Sequence, residues 1–407
     1  MLEQRHDAAT RERFGATEVS ARSLAPDLAR GAMLLLIALG NAHLFLYQHR
    51  PVGLHAYPIP ESTAERLAVL IPITFFDGRE LPLFAFLFGY GAVQLSRRHT
   101  REGADQHTVR SLIRWRGWCM ILIGFLHAVL LFGGDIIGAY GLVAVALAGV
   151  LVRTSDRKLL IAAGLGMVPI GAVAAWSYAS RPHGQEYYLP SLQSLAATGW
   201  LRGVGGRLSD WLTFGIPTAL FLAAPPVLLG AWAARRRILD EPERHRRLLL
   251  RVTVIGLGLG YLGGLPLAVQ AASLPLNWSP STSMDLAGVA HTVTGYAGAV
   301  GYAALAGLLA IRFRDRPGRV VTALAACGQR SMTCYILQSV VFVGVLASYG
   351  GGLGNRLGLL STAVLAIATW ALSVVVAEAM SRRGYRGPAE VLLRRLTYRR
   401  FRTPNLP

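Results

Sequence analysis

The chain has 407 residues, of which 53% are hydrophobic and 15% charged, with a net charge of +19 and a mean hydropathy of +0.42. Soluble domains carry about a quarter charged residues, so this balance excludes a string of soluble domains and points to one membrane-embedded bundle. The excess of arginine then reads as loop charge facing anionic lipid head groups, and no basic cluster is interleaved with aromatics as a nucleic-acid module requires.

Residues 1–24 are polar and charged, with no apolar core or cleavage site of a secretory signal. They read as a disordered cytoplasmic tail, with the first span acting as an uncleaved signal-anchor. Apolar runs then recur, each long enough to cross a hydrocarbon core of about 30 Å. The predicted fold is all-α: a single polytopic bundle over 25–380. Its ten transmembrane helices fall near 31–47, 79–96, 113–132, 136–152, 159–179, 212–234, 248–272, 286–311, 320–348 and 357–380. Residues 67–76 form a possible re-entrant half-span before the second. With these spans, 34 of the 41 Lys and Arg residues fall on one side of the alternation. The positive-inside rule makes that side cytoplasmic and puts both termini there, as in a multi-pass protein of the inner membrane. The outer loops are 48–66, 180–211 and 273–285. Trp200, Trp211 and Trp278 in them fit an interfacial aromatic belt, and Asn277-Trp278-Ser279 has the form of a glycosylation sequon. Residues 381–407 form a basic cytoplasmic tail. Pro388 suits the first position of a short helix there, with Glu390 and Arg394 spaced as an i, i+4 pair on the membrane surface.

Ionisable groups inside such spans are costly and raise a functional question wherever they occur. Arg30 and Asp27 lie about 20° and 40° from Asn41 around the first helix, on one face pointing into the bundle. They read either as an ion pair plus interhelical glue, or as a site where Arg30 holds an anionic group such as a phosphate. His43 points elsewhere. Asp77, Arg79, Glu80 and Pro82 have the form of a helix start, and Phe84, Phe88 and Gly91 form a packing stripe beneath it. His127 sits in the third span, with Arg116 eleven residues deeper, and Asp135 lies at the turn Gly133-Gly134-Asp135 with Tyr140 just below. An imidazole with an unperturbed pKa near 6.5 suits proton removal from a hydroxyl or amine, with Asp135 or Asp77 to orient it. The bland readings are a packed histidine and a helix cap. Cys327, Ser331, Cys334 and Gln338 form a small polar stripe suited to close packing. The three cysteines, Cys119 among them, have no disulfide or metal spacing. No HxxxH or HExxH occurs, so no metal is expected. His291 and Glu378 are isolated polar groups without an assigned role.

These motifs resemble the YeiB-like bacterial membrane proteins, which carry a domain of unknown function numbered 418. The likeness rests on Asp27-Leu-Ala-Arg-Gly31 leading to Asn41 and on Asp77-Gly-Arg79 followed by Pro82-Leu-Phe-Ala-Phe-Leu-Phe-Gly-Tyr-Gly91. It continues in Gly124-Phe-Leu-His127 with Gly134-Asp135-Ile-Ile-Gly-Ala-Tyr140, in Gly328-Gln-Arg-Ser-Met-Thr333-Cys-Tyr335-Ile-Leu-Gln338, and in the tail from Gly387 to Tyr398. The family is distantly similar to transmembrane acyltransferases of the acyltransferase-3 and lysosomal glucosaminide types. That similarity implies transfer of an acyl group from a cytoplasmic acyl-CoA to an envelope acceptor, through an intramembrane histidine. Where acyltransferase-3 proteins carry that histidine in the first span, this chain has Asn41, and His127 takes its place.

The expectation is therefore an acyltransferase with His127, Asp135 and Asp77 catalytic. Asp27, Arg30, Asn41, Arg79, Arg116, Tyr140 and Gln338 would bind donor or substrate. Acyl-CoA is a co-substrate, no cofactor is tightly bound, and the partner is the lipid bilayer. The alternatives are a transporter of a small amphiphile or ion and a non-catalytic membrane partner protein. The absence of a visible inverted repeat weighs against transport.

Overall fold

The computed structural model describes residues 23–46, 53–180, 194, 197, 199–274 and 280–400. Backbone polar groups in hydrocarbon must be satisfied within the segment, so apolar runs of this length become helices. In chain order these are α1 (Leu24–Ala42), α2 (Thr63–Phe75), α3 (Glu80–Arg101), α4 (Gln106–Leu130), α5 (Ile137–Arg153), α6 (Asp156–Ala179) and α7 (Trp200–Asp210). They continue with α8 (Ile216–Arg235), α9 (Arg246–Ala271), α10 (Pro280–Arg312), α11 (Arg319–Gln329), α12 (Ser331–Leu346), α13 (Leu359–Arg382) and α14 (Pro388–Arg399).

Among the described residues, six helical stretches are long and apolar enough to cross a membrane, by length and composition: Leu24–Phe45, Gln106–Leu130, Asp156–Ala179, Pro242–Ala271, Asp285–Arg312 and Leu359–Arg382. Ile137–Arg153, Leu220–Arg235 and Ser331–Leu346 are apolar but shorter. The surface is apolar where a soluble protein would be charged. Leu165, Val168 and Trp176 of α6, Val254 and Leu262 of α9, and Val364 and Val375 of α13 are all exposed. Exposed apolar side chains in such number mark contact with another apolar phase.

Every predicted span contains helix, with departures at three places. The half-span before the second is a helix of its own, α2, capped by the Ser62 hydroxyl accepting from the Glu65 amide at 3.2 Å. The ninth predicted span is broken at Arg330, whose backbone (φ −116°, ψ 29°) separates α11 from α12. The guanidinium of Arg330 donates to the carbonyls of Ala326 at 3.0 Å and Tyr385 at 2.6 Å, so a basic side chain satisfies carbonyls at the break. The third departure is α14. It does not stand apart as a surface helix; it packs on α4 and α12 with Leu393 and Thr397 buried. Trp115 donates from its indole to the Leu396 carbonyl at 3.0 Å.

Glycines let helices touch backbone to backbone, the usual device where lipid gives no hydrophobic drive to associate. A methyl on Gly31 would fall 2.0 Å from the Leu324 carbonyl oxygen, and one on Gly328 would fall 1.8 Å from that of Asp27, which locks α1 to α11. A methyl on Gly124 would fall 2.1 Å from the Gly138 nitrogen and 2.4 Å from an Asp135 carboxylate oxygen. That contact clamps the α4–α5 hairpin at the level of His127.

Trp211 departs from the expected interfacial belt. It is buried, with its ring 5.5 Å from that of Phe125 and its edge against Gly138. Trp200 is exposed but donates its indole N–H to the Leu130 carbonyl at 3.1 Å. Trp278 and the 277–279 sequon lie outside the described residues, as does the tail before residue 23.

Candidate functional site

Three ionisable or hydroxylic side chains meet where α4, the start of α5 and α12 converge. His127 Nδ1 lies 2.9 Å from Asp135 Oδ1, and His127 Nε2 lies 2.9 Å from Ser339 Oγ. All three residues are buried. Asp135 is held in turn by the α5 backbone: its Oδ1 accepts from the Ile137 amide at 3.1 Å and its Oδ2 from the Gly138 amide at 2.6 Å. The cap reading and the orienting reading of Asp135 therefore both describe it. A carboxylate saturated with N–H donors takes Nδ1–H from the imidazole, leaving Nε2 as the acceptor that faces the serine hydroxyl. The Tyr335 ring packs on His127 with centroids 5.0 Å apart.

A cavity of about 1210 Å³ opens from the arginine-rich end of the bundle toward this group. Its mouth carries Arg97, Arg98 and Arg101 of α3, Arg116 of α4, Arg237, and Arg386 and Arg394 of the tail, with Arg30 and Arg330 further in. Nine arginines face five carboxylates there. Several are steered by those acids: Arg97 by Asp240 at 3.4 Å, Arg98 by Glu102 at 2.7 Å, and Arg30 by Asp27 at 3.2 Å. Arg30 also donates to the Leu87 carbonyl at 2.9 Å. The ion pair expected on the Asp27–Arg30 face thus forms, and it lies in the cavity wall.

The inner part of the cavity is aromatic. Phe84 and Phe88 stack on Tyr140 at 5.0 and 5.6 Å. The stripe expected to serve helix packing is therefore cavity wall, together with Gly91. Tyr140 donates to the Leu81 carbonyl at 3.0 Å. Tyr335 and Ile137 complete this end, and each also touches the buried group, through the imidazole and through the Asp135 carboxylate respectively.

Other predicted site residues lie elsewhere. Both ring nitrogens of His127 are occupied by Asp135 and Ser339, so Asp77 does not orient it. Asp77 belongs to a second buried group with Glu80, whose carboxylates reach over Gly40, at 3.8 and 3.9 Å from where a methyl on it would lie. His43 stacks on Tyr57 with centroids 3.9 Å apart and donates to the His55 carbonyl at 3.0 Å. Burial, with the nearby Asp77 carboxylate, holds the Tyr57 phenol well above its usual pKa. Arg79 is fully buried and donates to the carbonyls of Ile73 at 2.9 Å, of Gly260 at 2.5 Å and of Asp77, with His291 Nδ1 at 3.3 Å. Sequence reasoning gave His43 and His291 no role; they belong to this group.

Asn41 and Gln338 are not among the residues lining the cavity. Gln338 donates to the Leu34 carbonyl at 3.1 Å, tying α12 to α1. Glu378 pairs with Arg382 one turn on, at 2.5 Å. Cys327 and Cys334 are buried thiols with sulfurs 3.7 Å apart. Among the described residues, no three His, Cys, Asp or Glu side chains gather so as to hold a metal ion.

Residues 233–400 match the family described as "Protein of unknown function (DUF418)". The chain is 27% identical over 357 residues to the uncharacterized protein YxaH of Bacillus subtilis (strain 168), covering 83% of each chain. It is 26% identical over 338 residues to the uncharacterized protein YeiB of Escherichia coli (strain K12), covering 78% of this chain and 81% of that one. The resemblance carried by the motifs is thereby shown: residues 233–400 match the DUF418 family, and the chain is similar over most of its length to YxaH and YeiB.

Proposed function

We propose that this protein is a multi-pass inner-membrane acyltransferase that takes an acyl group from a cytoplasmic acyl-CoA and delivers it to an envelope acceptor. The observation that carries the reading is the basic cavity ending on Tyr335 and Ile137, both in contact with the His127–Asp135 pair. Clustered guanidinium groups with steering carboxylates suit the phosphates of a nucleotide-like donor. The aromatic inner end suits an apolar acyl arm. Arg116 and His127 are eleven residues apart on one helix, about 16 Å of rise, so a bound donor would span from phosphate to thioester along α4.

The topology goes with this reading. The predicted ten spans with both termini cytoplasmic would put all nine cavity arginines on the donor's side, where anionic head groups also lie. The imidazole then sits in the outer half of the membrane, within reach of an acceptor.

The test is direct binding of radiolabelled acyl-CoA to the purified full-length protein. Hydrogen bonds to charged groups contribute roughly 1.5–3 kcal/mol. Arg30→Ala and Arg116→Ala are therefore each expected to weaken binding by about tenfold or more, with CoA competing. A protein that binds no acyl-CoA and moves solute in proteoliposomes without a donor overturns the reading. The second buried group, around Arg79, His291, His43 and Asp77, favours that transport alternative, because intramembrane ionisable clusters mark ion pathways.

A further inference from the structure

We propose that Ser339 is the nucleophile of the transfer and carries the acyl group as an oxygen ester between donor and acceptor. This rests on the acyltransferase reading and deepens it. Nothing in the local sequence singles the serine out; it is one hydroxyl in an apolar helix. Three observations do. The Ser339 hydroxyl has the His127 Nε2 acceptor at 2.9 Å, whereas the carbonyl one turn back, Tyr335 O, is at 3.5 Å. The imidazole is the better partner, so the side chain is not spent on its own helix. His127 Nδ1 is held by Asp135 at 2.9 Å, and Asp135 by two backbone amides. The order hydroxyl, imidazole, carboxylate is the one that activates a serine, and it is recognised by geometry rather than by chain order. Finally, the basic nitrogen of His127 is already occupied. An acceptor brought to this site meets the serine between itself and the base.

The chemistry balances with a thioester donor. Ser339 Oγ attacks the thioester carbonyl carbon while its proton passes to His127 Nε2. The C–S bond breaks, the CoA sulfur leaves with that proton, and Ser339 is left acylated. An acceptor hydroxyl then attacks the ester carbon and gives its proton to His127. The ester C–O bond breaks and Ser339 Oγ recovers the proton. Nothing is oxidised or reduced. A covalent intermediate also answers a problem of sidedness. Donor and acceptor approach from opposite ends, and an acyl-serine lets CoA leave before the acceptor arrives. Tyr335 stands between cavity and imidazole, lining the first and packing on the second at 5.0 Å, so the donor's inner end lies one ring away from the serine.

The experiment incubates full-length protein in nanodiscs with ¹⁴C-labelled acetyl-, octanoyl- or palmitoyl-CoA and no added acceptor. The expected result is a burst of CoA release approaching one per protein, with label on the Ser339 peptide that resists neutral hydroxylamine and is released by alkaline hydroxylamine. Ser339→Ala is expected to bind acyl-CoA as before and to lose both burst and label. Ser339→Cys is expected to regain the label as a thioester, which a folding defect would not allow. Acyl-CoA bound without label, or CoA released equally by Ser339→Ala, overturns the serine's role and leaves the transferase reading standing. Failure to bind any of the three donors overturns both.

Discussion

Asp135 accepts from the His127 ring and from the amides of Ile137 and Gly138 at once, so its two tasks separate under substitution. Asparagine caps a helix about as well as aspartate, so Asp135→Asn is expected to leave thermal stability nearly unchanged. Its single amide oxygen, however, cannot serve both Nδ1 and the Gly138 amide, which the two carboxylate oxygens meet separately; with that oxygen kept on Gly138 the NH2 group faces the imidazole. The imidazole then turns its N–H toward Ser339 and loses the lone pair that accepts the serine proton. Acyl transfer is expected to fall about 10²–10⁴-fold, the usual share of a positioned base, while donor binding holds. Equal losses of stability and turnover would reduce Asp135 to a cap. At this scale the sequence is half legible. His127 and Asp135 stand out because ionisable residues are expensive in apolar runs, and eight residues of separation across a tight turn bring them together. Ser339 is 212 residues away from the imidazole, and a serine costs an apolar helix little, so no local signal marks it. Asp77 carries the same signal as Asp135, but the fold commits it to Tyr57, His43 and Glu80. Ionisability shows that a residue has a partner and leaves open which one.

Glu390 shows how tertiary structure redirects an element-level pairing. Its spacing to Arg394 reads as a helix-surface ion pair worth a few tenths of a kcal/mol. In the fold the carboxylate instead accepts from the amides of Met332 and Thr333, at 2.9 and 3.1 Å, and from the Thr333 hydroxyl at 2.5 Å. The break at Arg330 leaves the first amides of α12 without intrahelical acceptors. A carboxylate offered from α14 satisfies two of them and complements the helix dipole. Glu390→Ala is therefore expected to cost about 1–2 kcal/mol, the range of a lost cap. Amide exchange should quicken at residues 332 and 333 and along α14 together. Unchanged exchange in α14 would mean that it is held by Leu393, Thr397 and Trp115 alone. The break itself is illegible because 320–348 is one apolar run. Only the buried Arg330 reaching the Tyr385 carbonyl explains it, and that carbonyl is 55 residues on.

Over the whole molecule, the pattern most visible in the sequence is the alternation of arginine between apolar runs, and the fold gives it a spatial meaning. The nine arginines around the cavity come from α1, α3, α4, the α8–α9 connection, the α11–α12 break and the tail. All nine fall among the 34 basic residues placed on one side by span counting. One miscounted span between any two of these segments would have scattered them over both ends. The gathering requires an even number of crossings between those segments, and among the described residues six helices are long and apolar enough to be recognised by length and composition. Short helices such as α5 and α12 need neighbours to complete a crossing, and packing of that kind is not written in a hydropathy profile. The topology can be tested with single cysteines, because the three native ones are buried. Thr100→Cys and Glu243→Cys should be silent to a membrane-impermeant maleimide in intact spheroplasts and react after lysis. Leu201→Cys and Asn355→Cys should react in both. All four positions are exposed on the protein itself, so silence reports the membrane and not the fold. Labelling of Thr100→Cys from outside would break the alternation at α3, the helix whose charged end keeps it out of the six, and would turn the cavity away from any cytoplasmic donor.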